Sequence, residues 1–188
     1  CQLHAPRLPR PQPRCGGNRC ACAPGAPVGR YGVVSMEARD RHIAGAVRAH
    51  QQLLERLDVL TDDLVGQPSL LPGWTVGHVL AHLARNADSH VRILRAATDG
   101  EVVDQYPDGV AGRAAEIDRD APRPAADHRA DVARTVAQLE QAWRDATDRT
   151  WAGQGRSVTG DPIACTDLPF RRWRETVVHH TDLGHLDI

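Results

Sequence analysis

Lysine is absent from the chain, and every permanent side-chain cation is an arginine. With 23 basic against 24 acidic residues the formal net charge is −1, so there is no surplus of positive charge with which to hold nucleic acid or an anionic membrane. The abundance of Ala, Gly, Pro and Arg that accompanies the missing lysine reads as the codon usage of a GC-rich genome and carries no functional information. Long apolar runs are missing too: no stretch approaches the roughly 18 residues needed to cross a bilayer. The Arg- and Pro-rich N-terminal segment also lacks the apolar stretch of a secretory signal. Cysteine is scarce where a fold could use it. Cys1, Cys15, Cys20 and Cys22 precede the first periodic segment and Cys165 stands alone, which argues against a disulfide framework. By elimination these absences point to a cytoplasmic protein acting on a small molecule or on another protein.

What is present begins with "CQLHAPRLPRPQPRCGGNRCACAPGAPVGRYGVVS", which has neither the period of a helix nor that of a strand. We expect residues 1–35 to be a disordered leader and the only methionine, Met36, to be the natural start. The Cys15, Cys20 and Cys22 spacing matches no zinc knuckle. From Glu37 onwards Ile43, Val47, His50, Leu53, Leu54, Leu57, Leu60 and Leu64 recur at helical intervals, predicting one long amphipathic helix ended by Gly66 and Pro68. "SLLPGW" turns the chain at Pro72-Gly73. Thr75 then caps a second helix with the apolar stripe Val76, Val79, Leu80, Leu83, Ala87, Val91 and Leu94, stopped by Asp99-Gly100. A long connection containing "QYPDGVAGRAAEIDRD" carries a short helix after Pro107 and Gly109. Pro122 and Pro124 precede a third long helix with Val132, Val136, Leu139 and Trp143 inward, and a loop rich in Gly, Thr and Asp leads to a fourth helix beginning at Pro169. No strand pattern persuades. Residues 36–188 therefore read as one all-α domain, a four-helix bundle with crossover connections.

Two helices carry titratable side chains beside their apolar stripes. On the second, His78, His82, Asn86 and Ser89 fall within a sector of about 80° at roughly 100° per residue, flanking the core. On the fourth, "RRWRETVVHH" places Glu175 and His179 four residues apart, stacked on one face with Asp182 following. Facing helices of this kind can present two imidazoles and a carboxylate to a divalent ion and leave one position open, the arrangement of a catalytic zinc site. Asp182 can accept an imidazole N–H behind it. The same residues read equally as boundary groups hydrogen-bonding to their neighbours.

"SLLPGWTVGHVLAHLARNAD" and "RRWRETVVHHTDLG", with "YPDGVAGRAAEID" in the crossover, resemble the N-terminal metal-binding domain of the mycothiol-dependent maleylpyruvate isomerase family, a branch of the DinB-like four-helix bundles. The resemblance runs from about Met36 to Gly184. It implies zinc held by His82, Glu175 and His179, with His78 a neighbour one turn earlier and His180 on a different face. It implies mycothiol as cofactor, its thiolate adding to the cis double bond of maleylpyruvate, and arginines holding the carboxylates of this small electrophilic substrate. Arg85 and Arg113 lie in the matching motifs, and Arg171 and Arg174 flank the metal pair. Members of the family continue into a small C-terminal α/β domain, which residues up to "GHLDI" do not include. The expectation is therefore a zinc- and mycothiol-dependent isomerase or thiol transferase. The alternative is a non-catalytic metal-binding bundle, or a fragment without its substrate domain.

Overall fold

The computed structural model describes residues 35–184; the expectations for the leader, Ser35 apart, and for the Cys15, Cys20 and Cys22 group fall outside that range. Helix α1 spans Met36–Leu57, capped by the Ser35 hydroxyl, which accepts a bond from the amide of Ala38. It does not continue to Leu64 as the periodicity predicts. Asp58 closes α1, and a separate turn of helix, α2 (Asp62–Val65), starts on the Thr61 side chain. The apolar spacing survives this break, because Leu57, Leu60 and Val65 are all buried in the same cluster, but Thr61 followed by two aspartates is a strong helix start.

Helix α3 (Val76–Asp99) is framed by Thr75 and by Gly100, whose φ of 81° is the left-handed conformation that ends helices and suits glycine. Helix α4 (Gly109–Asp120) lies in the first crossover, and α5 (Ala125–Asp145) buries Val132, Val136, Leu139 and Trp143 as the stripe predicts. The loop rich in Gly, Thr and Asp before the fourth helix holds more order than the sequence pattern predicts. It contains a short helix α6 (Asp148–Trp151) and an antiparallel hairpin of β1 (Gln154–Arg156) and β2 (Pro162–Ala164), with Gly155 opposite Ile163. Three-residue strands are too short to show alternation, which is why the sequence conceals them. Helix α7 (Leu168–Asp182) has Pro169 in its first turn.

The four long helices form the DinB-like bundle. Helix α3 packs chiefly on α5 and α1 on α7, while α3 with α7 and α1 with α5 close the ring. Close approach is built in by glycine: a Cβ on Gly45 of α1 would lie 2.7 Å from the Trp173 ring of α7. The core has two apolar clusters, one around Leu53, Leu80, Leu83 and Val132, the other around Ala46, Ala87, Leu94, Leu139 and Leu168.

Candidate metal centre

His82 sits two turns into α3, and Glu175 and His179 sit one turn apart on α7, so the packing of these two helices decides whether they meet. They do. The ligand atoms of the three residues lie within 4.8 Å of one another. The Nε2 of His82 is 3.3 Å from Oε2 of Glu175, and Nε2 of His179 is 3.4 Å from the same oxygen. The His82 and His179 rings stand at right angles with centroids 4.7 Å apart, and Trp74 from the turn before α3 meets His82 edge-on.

The partners behind these donors fix their protons. Asp182 Oδ2 is 2.8 Å from His179 Nδ1; a carboxylate accepts, so Nδ1 carries hydrogen and Nε2 faces the cluster, the outer support that metal-bound histidines have. Burial opposes a charge on His179, but bonds to Glu175 and Asp182 outweigh it and raise its pKa. Bonds from His179 and His82 hold the Glu175 carboxyl far below the usual range, while burial lowers the pKa of His82. Arg113 from α4 reaches His82 Nδ1 at 3.1 Å. Guanidinium can only donate, so in this state Nδ1 is the acceptor and His82 holds its proton on Nε2, toward Glu175. As metal donors the residues fit: two imidazole nitrogens and one carboxylate converge, and one open side remains.

That side is a cavity of about 180 Å³ whose walls include His82, Asn86, His90, Tyr106, Arg113, Arg171, Arg174, Glu175 and Val158. Glu175 is the one carboxylate in this wall, set against three arginines. Arg171 and Arg113 have no carboxylate partner among the described residues, whereas Arg85, Arg123 and Arg134 are all paired with Asp131. Arg85 is thus drawn to α5 and away from the cluster. His78 is also turned elsewhere: its Nδ1 accepts from the Thr75 amide and completes the cap of α3.

Five residues of this region escaped the sequence reading. Tyr106 is buried in the crossover, with the Arg113 guanidinium 5.9 Å over its ring. Gln105 donates to Ser89 Oγ at 3.2 Å, and Arg92 donates to the Gln105 carbonyl at 2.6 Å, which ties the crossover to α3. His90 is 1 % exposed, its pKa lowered to about 3 by burial, and its Nδ1 has no partner. Arg172, between the two arginines that drew attention, is wholly buried. Only the "YPDGVAG" motif hinted at any of them.

The described residues therefore make a DinB-like helical bundle with a His2Glu cluster beside a cation-lined cavity. A family profile described as the mycothiol maleylpyruvate isomerase N-terminal domain matches residues 46–184, and the chain belongs to that family. Among solved structures it is similar to the crystal structure of the mycothiol-dependent maleylpyruvate isomerase, with 26% identity and a TM-score of 0.73 over 78% of this chain and 60% of that one. A histidine-to-alanine mutant of the isomerase matches at 25% identity over the same shares, with the same TM-score. The chain thus spans 60% of the length of the isomerase. YfiT from Bacillus subtilis, described as a probable metal-dependent hydrolase with an unusual four-helix bundle topology, shares the fold at 21% identity and a TM-score of 0.65, over 84% of this chain and 93% of that one. A search of curated proteins gives no match.

Proposed function

We propose that residues 36–188 form the metal- and thiol-binding domain of a zinc-dependent, mycothiol-using isomerase or thiol transferase of the maleylpyruvate isomerase type. The observation that carries this reading is the convergence of His82, Glu175 and His179 beside the arginine-lined cavity, with His82 and Glu175 in its wall. Two imidazoles and one carboxylate suit zinc and leave it a free position. Bound there, zinc would lower the pKa of a thiol ligand so that thiolate is available at neutral pH. Mycothiol would supply that thiol, and addition to a cis double bond, rotation and elimination convert maleylpyruvate to fumarylpyruvate.

The chain's own residues bind, orient and exclude water. Arg113, Arg171 and Arg174 hold the carboxylates of a small electrophilic acid by paired hydrogen bonds, which planar guanidinium groups favour. Asp182 keeps the His179 proton on Nδ1, so that Nε2 is free to coordinate. Val158 lines the cavity, and Trp74 packs edge-on against His82. Arg85, engaged by Asp131, is left out of this assignment. No helix among the described residues is long and apolar enough to cross a membrane, and we place the protein in the cytoplasm with small molecules as its partners.

Elemental analysis after zinc reconstitution tests the centre: about one zinc per chain is expected, lost on His82→Ala or His179→Ala. Calorimetry with mycothiol, with and without zinc, tests the thiol. A reconstituted protein without zinc would remove the reading altogether; zinc without thiol binding would leave a metal-binding bundle.

A further inference from the structure

Arg172 is a cation in the middle of the bundle, with 0 % exposure. Among the described residues no carboxylate pairs with it. Its Nε donates to His50 Nε2 at 3.0 Å, and its Nη1 donates to the Leu83 carbonyl at 2.8 Å and to Asn86 Oδ1 at 3.1 Å. Because guanidinium only donates, His50 accepts on Nε2 and carries its proton on Nδ1, which donates to Glu140 at 2.9 Å. One polar chain therefore links α5, α1, α7 and α3. It runs along the boundary between the two apolar clusters: Leu53 and Ala46 lie on either side of His50, Leu83 and Ala87 on either side of Asn86.

Stability does not account for this arrangement. A buried cation without a carboxylate is costly, and apolar side chains of similar volume often serve a core as well or better. Its location suggests another reason. Arg172 lies three residues before Glu175, on the same face of α7. Its two acceptors on α3 lie immediately after His82 and one turn beyond it. The guanidinium bridges the two helices that carry the donors, one turn from where they converge.

We propose that Arg172 is a positioning residue of the metal centre, setting the register and separation of α7 against α3 so that Glu175 and His179 meet His82. This rests on the reading of those three residues as metal donors. The planar fork holds His50 of α1 through Nε and both acceptors of α3 through Nη1, at fixed directions that lysine's rotatable point charge does not reproduce. Donors must be held within about half an ångström of their working positions, and the strut supplies that constraint from inside the core.

The test uses cobalt(II) as a spectroscopic probe on the full chain. Arg172→Met should weaken cobalt binding on the order of 10- to 100-fold, as loss of a supporting residue does, and should alter the d–d absorption bands. Arg172→Lys should recover part of the affinity. Leu57→Ala, a core truncation outside the chain of polar contacts, should lower the melting temperature yet keep the wild-type affinity and spectrum. Wild-type affinity and bands in Arg172→Met would overturn the proposal, as would equal changes in Leu57→Ala. If Arg172→Met does not fold, Asn86→Leu removes one acceptor and carries the same expectations. Wild-type protein that takes up no cobalt would remove the metal centre itself, and this inference with it.

Discussion

Acidification should destabilise the metal-free protein through His90, and by an amount the structure sets. His90 is 1 % exposed, and burial lowers its pKa from 6.5 to about 3. A lowered histidine pKa means that the unfolded chain binds the proton more readily. The stability this residue contributes is complete above pH 6.5 and is lost progressively as pH falls toward 3. Between pH 7 and pH 5 the unfolded state gains roughly 0.7 of a proton at this position and the folded state almost none, which integrates to about 2 kcal/mol. His50, His82 and His128 are lowered as well, so the wild-type loss is larger than the His90 share, while His179, whose pKa is raised, works in the opposite direction. Comparison with His90→Gln isolates the one residue, because the remaining histidines are common to both proteins. Urea unfolding at pH 7 and pH 5, read as the free-energy difference for each protein, should show wild type losing about 2 kcal/mol more than His90→Gln. Equal losses in the two proteins would refute the reasoning.

Other outcomes follow from single contacts. Glu175→Gln should weaken zinc binding more than Asp182→Asn, since the first removes a charged donor and the second, at 2.8 Å behind His179, only its orientation; the latter should cost on the order of 10- to 100-fold, measured by competition with a chelator. Zinc coordination at His82 Nε2 should move the ring proton to Nδ1, displacing Arg113 from its 3.1 Å contact, a change that imidazole 15N shifts would report and that unaltered shifts on zinc addition would contradict. Gly77→Ala should lower the thermal midpoint by an amount equivalent to about 1–3 kcal/mol, because its Cβ would overlap the Ala121 carbonyl oxygen; an unchanged midpoint would show that α4 can give way freely.

The sequence by itself determined the four long helices, their inward faces and two of their ends, because those depend on local rules: apolar residues every three or four positions, threonine at a start, glycine with positive φ at a stop. It also brought His82, Glu175 and His179 into one candidate set, through motif spacing and family resemblance. Tertiary packing decided the rest. The break after Leu57, the hairpin at Gly155 and Ile163, and the loss of Arg85 to Asp131 all arise from short elements or from partners distant in the chain, which periodicity does not register. Arg171, Arg172 and Arg174 are indistinguishable as letters. Helical phase and the position of α3 put Arg172 in the core, bonded to Leu83 and Asn86, and its two neighbours in the cavity wall. A side chain's role in this protein follows from which helix stands opposite it, and that is a property of the packed bundle.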